Sequence, residues 1–266
     1  MAESIMDITR RPTVGVIGES VPYLLIERSA GGIIRATFRI YLQHFWTIVL
    51  IFALPVLPFE VLSALAERSG HIGLYLLSLV PSLLLGPFVA GALTITVADL
   101  CLGRTPSVSG SYRRSMDKLW AQLLATNVLA YLMLILGLVM LLVPAVLFFT
   151  WYALAPCIVV LEGSWGWSAL HRSKALVKGY FWRTLGILIA LIMLLFMSLF
   201  VAIFIAAGAV GVVVEIPPIV LTLFGAVMGL AVMQPPIILG LVLIYYDLRV
   251  RKEAYDSQTL ASDLMH

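Results

Sequence analysis

The sequence predicts an all-α fold, a polytopic transmembrane helical bundle of about six spans. Three observations predict it. Of 266 residues, 62% are hydrophobic and 12% charged. The chain holds several long stretches without any charged residue. Its lysines and arginines fall almost entirely in alternate connections between those stretches. A soluble domain is ordinarily about 45–50% apolar and about 25% charged, so a water-soluble fold of this size could not bury so much apolar surface. The net charge of +3 is small and gives no reason to expect a nucleic-acid partner.

A helix needs about 20 apolar residues to cross the hydrocarbon core, and a charge at its centre costs roughly 2.5–3.5 kcal/mol. Phe45 to Ala66 is uncharged except for Glu60, near its far end. Ile72 to Ala98 carries no charge. The uncharged run from Ala121 to Leu161 is long enough for two spans, with Pro144 as the natural break. Thr184 to Val214 and Ile216 to Tyr246 are also uncharged, and Pro217-Pro218 marks a turn before the last. The expected spans are 45–66, 72–98, 120–143, 145–161, 184–214 and 218–246. They are framed by an N-terminal segment, 1–44, and a tail, 247–266. Residues 1–44 lack the short apolar core of a cleaved signal peptide, so the first span is expected to be retained.

Basic residues give the orientation. Arg10, Arg11, Arg28, Arg35 and Arg39 precede the first span, and Arg104, Arg113, Arg114 and Lys118 lie between the second and third. Arg172, Lys174, Lys178 and Arg183 lie between the fourth and fifth, and Arg249, Arg251 and Lys252 follow the sixth. Only Arg68 of the 17 falls on the other side. Positive residues stay cytoplasmic, so both termini are expected inside a cytoplasmic (inner) membrane. Trp46, Trp120, Trp182, Tyr245 and Tyr246 stand at expected inner helix ends, where amphipathic rings favour the interface.

Before the first span, Ile33, Ile34, Phe38 and Tyr41 recur near helical spacing, while Arg35, Arg39 and Gln43 share another face. That pattern predicts an amphipathic helix lying in the headgroup region. The pattern recurs. An acidic residue, a basic stretch and a Trp run from Glu27 to Trp46, from Asp99 to Trp120 and from Glu162 to Trp182. Three parallel units follow as an expectation, each an interfacial helix and a transmembrane hairpin. The expected non-protein partner is the bilayer, through anionic headgroups on Arg35, Arg39, Arg113, Arg114, Arg172, Arg183, Arg249 and Arg251.

Catalytic patterns are missing. His44, His71, His171 and His266 are scattered, and no HExxH, GxSxG or phosphate-cradling GxxxxGK occurs. Cys101 and Cys157 fit no metal spacing, and neither metal nor cofactor is expected. The polar residues at expected membrane depth, Ser82, Thr126, Asn127, Thr150, Ser198, Thr222 and Gln234, are not ionisable near neutral pH. Ion-coupled carriers usually keep an ionisable group there. Pro55, Pro58, Pro81, Pro87, Pro156, Pro235 and Pro236 fall inside spans, where each removes a backbone donor and tends to kink the helix. After the last span, Arg249 and Glu253 stand at i, i+4 and can pair, and Asp247 can bond to a basic residue of a neighbouring connection.

Residues 141–183 read LLVPAVLFFTWYALAPCIVVLEGSWGWSALHRSKALVKGYFWR, and 235–256 read PPIILGLVLIYYDLRVRKEAYD. Together they resemble the bacterial membrane domain fused to some glycerophosphoryl diester phosphodiesterases. The likeness rests on a turn proline at Pro144, then Trp151, Ala155, Pro156, Val159, Glu162 and Gly163. It continues through Ala169, Leu170, Arg172, Ser173, Gly179, Trp182 and Arg183. It closes on Tyr245, Tyr246, Asp247, Leu248, Arg249, Arg251 and Glu253. Where that pattern has Gly after the proline, this chain has Ala145. The resemblance implies a bacterial six-helix membrane module and carries no catalysis with it, because the phosphodiester chemistry belongs to a separate metal-bearing barrel. Only ten residues follow Asp256, so no phosphodiesterase activity is expected. The expected function is that of a non-enzymatic scaffold, anchor or regulator of a protein partner. A transporter or lipid-handling protein is the alternative, and an intramembrane enzyme a distant third.

Overall fold

The computed structural model describes residues 28–68, 71–101, 107–116, 118–140, 142–213 and 234–253. The elements are α1 (Ala30–Gln43), α2 (Phe45–Arg68), α3 (Ile72–Cys101), α4 (Val108–Met116) and α5 (Lys118–Met140). They continue as α6 (Leu142–Tyr152), α7 (Ala155–Glu162), α8 (Trp167–Val177), α9 (Phe181–Val213) and α10 (Gln234–Glu253). Among the described residues there is no strand. Arg10, Arg11, Glu27, Arg104 and the start of the sixth expected span lie outside them.

Short helices alternate with long ones for local reasons. Ser29 accepts a hydrogen bond from the Gly32 N–H at 3.1 Å and starts α1. Ser107 does the same for Gly110 at 3.3 Å ahead of α4. Each satisfies an N–H that has no partner within its helix. Gly163, at φ 67°, ends α7, and Gly179, at φ 93°, follows α8. Both positions suit a residue without Cβ. On α1, Ile33, Ala36, Thr37, Ile40 and Tyr41 are buried, while Arg35, Arg39 and Gln43 are exposed. α1 meets the first part of α2 at 80°, and α8 meets the first part of α9 at 101°. A helix with a charged face, set nearly square to a long apolar helix, has the geometry of one lying along a membrane surface.

The inner core is built by α3, α7 and α10, which contact one another. α2 packs on α3, α5 on α6 and α7, and α9 on α10. Burial follows this layering. Val89, Leu93, Ile158, Val159, Leu239 and Val242 are fully buried, whereas Val139, Leu142, Phe196 and Phe204 expose most of their surface. An apolar exterior on that scale belongs in lipid. Leu119–Met140 and Leu142–Glu162 are each long and apolar enough to cross a membrane, and counting each bent pair as one span raises the total from two to four. The chain is therefore a helical membrane protein.

The prolines take different roles. The break expected at Pro144 between the third and fourth spans falls just ahead of it: α5 ends at Met140, and Pro144, which lacks the N–H that would reach the Met140 carbonyl in a continuous helix, sits in the first turn of α6. There its missing N–H is one that would lack a helical partner anyway. A second break falls at Ala153-Leu154, and Pro156 opens α7. The Trp151 carbonyl at this break accepts from Ser173 Oγ at 2.6 Å. Pro87 lies within the continuous α3. Carbonyls beside it, Leu84 O and Phe88 O, accept from Trp120 Nε1 at 3.3 Å and Ser115 Oγ at 2.9 Å. Close helix approach depends on glycine. A Cβ on Gly91 would stand 2.6 Å from Leu123 Cδ1 and 2.8 Å from Ser115 Oγ. One on Gly137 would stand 2.9 Å from the Ala145 backbone.

Candidate functional site

At the end of the bundle where α3, α7 and α10 finish, each contributes an acidic residue held by arginine. Asp99, at the end of α3, pairs with Arg114 of α4. Glu162, at the end of α7, accepts from Arg172 of α8 through Nε at 2.8 Å and Nη2 at 3.1 Å. Asp247, near the end of α10, accepts from Arg183 Nη2 at 2.8 Å, Arg251 Nε at 3.0 Å and the backbone N–H of Arg28 at 2.8 Å. The carbonyl of Arg28 in turn accepts from Arg183 and Arg251. The backbone of Arg28, just ahead of α1, is thus gripped at both its N–H and its C=O by side chains of α9 and α10.

A second network surrounds Glu162. Arg172 Nη1 also reaches Glu253 Oε1 at 2.6 Å. Arg249 bonds Glu253 Oε2 at 3.0 Å and lies 3.9 Å from Glu162. The Tyr245 hydroxyl donates to Glu162 Oε1 at 3.0 Å and accepts from Arg249 Nη1 at 3.0 Å. Lys252 crosses to the Ala175 and Lys178 carbonyls at the end of α8. Charge-assisted bonds of this kind are the strong ones, and they tie α7, α8 and α10 together. Burial pushes the Asp247 and Glu253 carboxyls up, but the bonds from Arg251, the Arg28 amide and Arg183 on the first, and from Arg172 and Arg249 on the second, outweigh it. Both stay below their ordinary values.

The residues singled out in the sequence separate into groups. Glu162, Arg172, Arg249 and Glu253 come together in one network, and Arg183, Asp247 and Arg251 in the other. Ser173 lies at the α6–α7 break, bonded to Trp151, and Lys174 sits 4.2 Å over the Trp151 ring. Pro144 and Pro156 start helices, and Gly163 and Gly179 make the turns around α8. Trp46 and Trp182 are exposed, as interfacial anchors should be. Tyr246, and Tyr245 beside it, are fully buried instead. The sequence marked Tyr245 by its place in the closing motif but gave no sign that its hydroxyl joins the Glu162 network.

The arginines expected at headgroups also divide. Arg172, Arg183, Arg249 and Arg251 are engaged by carboxylates, and Arg114 by Asp99. Arg35, Arg39 and Arg113 are exposed and make no ion pair among the described residues. Also among the described residues, no group of three or more His, Cys, Asp or Glu could hold a metal. Asn127 Nδ2 bonds the Leu123 carbonyl at 3.0 Å rather than joining a polar cluster.

An apolar-sheathed helical bundle closed at one end by arginine–carboxylate networks is the architecture of a helical membrane module. The chain belongs to the family described as domain of unknown function DUF8558, whose model matches residues 114–264. That match begins at Arg114 and takes in every side chain of both networks, but not the Arg28 backbone that the Asp247 network grips. No curated protein and no solved structure matches the chain.

Proposed function

We propose that this protein is a six-span module of a bacterial cytoplasmic membrane, with both termini inside, that works without catalysis by anchoring, scaffolding or regulating a protein partner. The observation that carries this reading is the engagement of the charged cap with itself. Its carboxylates face guanidinium groups, and Asp247 and Glu253, which arginine holds below their ordinary values, are poor proton donors or acceptors near neutral pH. What the loop beside the cap offers outward is Trp165 and Trp167, each more than half exposed on either side of Gly166. Rings of this kind suit an interface. The three-unit reading draws support from the same contacts. Ser115 bonds the carbonyl of Phe88, eleven residues before Asp99, and Ser173 bonds that of Trp151, eleven before Glu162. Asp247 reaches back to Arg28 as if closing a ring. Kinship with the phosphodiesterase membrane domain is part of the proposal.

Purification from the native host in mild detergent tests the partner reading. A protein should be retained by the wild type and lost from a W165A/W167A double variant. A wild type recovered alone would contradict it. A second reading, lipid handling or transport, is favoured by a cavity of about 220 Å³ at the α6–α7 break, lined by residues including Asn127, Tyr131, Phe148, Tyr152, Pro156 and Leu191. Interrupted helices beside a cavity are how many transporters build substrate sites.

A further inference from the structure

We propose that the groove between α2, α3 and the α4–α5 junction holds one phospholipid molecule, its acyl chain in the groove and its phosphate on Arg113. The inference rests on the membrane reading and names a ligand for a site that the partner reading does not use. The groove measures about 570 Å³ and is lined by Phe59, Val80, Leu84, Leu85, Phe88, Met116 and Trp120. Its lining is almost wholly apolar, so an acyl chain suits it better than water does.

Its walls are fixed by bonds that do not fill it. The Trp120 indole N–H donates to the Leu84 carbonyl at 3.3 Å, and Ser115 Oγ donates to the Phe88 carbonyl at 2.9 Å. The Tyr112 hydroxyl donates to the Ile51 carbonyl, and the Tyr112 ring stacks on Phe88 at 5.5 Å. α4 and the start of α5 are therefore pinned to α2 and α3, and the space between them stays open. Met116, at 71% exposure, and Trp120 rim the opening.

Charge supplies the second half of the site. Arg113 precedes Met116 by three positions, so the two share a helix face. Arg113 is exposed and makes no ion pair among the described residues, whereas its neighbour Arg114 is held by Asp99. One arginine of the pair closes the fold, and the other is left for an anion. A guanidinium matches a phosphate in charge and in its forked donors. A Trp at the same rim occupies the level of lipid headgroups.

The test is native mass spectrometry of the full chain in detergent, titrated with dioleoyl phosphatidylglycerol. The wild type should retain one lipid. Leu84→Trp and Val80→Trp, which fill the groove from two positions, should each abolish retention. Arg113→Gln should weaken it about tenfold, the worth of one charge-assisted contact, while Arg39→Gln should leave it unchanged. Inorganic phosphate should not compete. A wild type that retains no lipid, or Arg113→Gln and a folded groove-filling variant that bind as the wild type does, would overturn the proposal, as would full competition by phosphate. A chain that stays monodisperse without detergent would instead defeat the membrane reading beneath it.

Discussion

Replacing Asp247 with Ala is expected to lower the thermal midpoint of the detergent-solubilised protein by on the order of 10 °C. Asp247 is 2% exposed and bonded to Arg183, Arg251 and the Arg28 backbone. Removing one member of a buried ion pair costs about 3–5 kcal/mol, because the partner charge is left behind unpaired. For a chain of this size each kcal/mol moves the midpoint by about 2–4 °C. Asp247→Asn keeps the shape and one acceptor and should fall between Ala and wild type. The pH dependence carries the same signature. Burial raises the Asp247 carboxyl, the bonds from Arg251, Arg28 and Arg183 lower it, and the net direction is below its ordinary 3.8. A depressed folded value means the contribution is fully present above about pH 4 and is lost as pH falls through the folded value. Thermal melts between neutral pH and pH 3 should show a steep acid limb in the wild type and a shallower one in Asp247→Ala. A variant melting within about 2 °C of wild type would show that the grip on Arg28 does not hold the bundle end together.

The second large effect is expected at Arg172. One guanidinium serves Glu162 through two nitrogens and Glu253 through the third, so Arg172→Ala leaves two carboxylates facing each other across Arg249. With Arg172 a third exposed, solvent screening reduces the penalty, and about 2 kcal/mol is expected. Lysine should recover less than half of the loss, because a single ammonium cannot reproduce the fork. A double-mutant cycle between Arg172→Ala and Glu253→Ala should give a coupling of about 0.5–3 kcal/mol. Additivity within about 0.3 kcal/mol would mean that the two groups act separately.

Much of the helical layout is legible in the sequence, because lipid enforces a simple rule on long apolar segments. The amphipathic face of α1 could be read from period alone, since Ile33 and Tyr41 must leave water and Arg35 and Arg39 must not. The pairing of Arg249 with Glu253 was equally local. Of the long-range partners only the kind was legible: a basic residue of a neighbouring connection was expected on Asp247, and Arg183 is one, but nothing singled it out. Nothing in the spacing tells Arg172 to bridge Glu162 and Glu253, or Asp247 to reach a peptide more than 200 positions away, because such contacts depend on how three helices converge. The break at Ala153-Leu154 was hidden for another reason. A proline inside an apolar run signals a kink or the start of a new helix equally well. At Pro156 the second holds, with Ser173 taking the Trp151 carbonyl left at the end of α6. Tyr245 and Tyr246 are buried by the same convergence, and Glu162 and Arg249 satisfy the Tyr245 hydroxyl there.

The account stands on α4 and α8 lying on one face of a bilayer and the connection around His71 on the other. In a background lacking Cys101 and Cys157, single cysteines at Arg113, Lys174 and His71 can be probed in intact, inside-out and permeabilised membrane vesicles with an impermeant maleimide. Cysteines at 113 and 174 should react together, from the cytoplasmic side alone, and the cysteine at 71 from the opposite side alone. Labelling of 113 and 174 from different sides, or of 71 from the same side as both, would contradict the account.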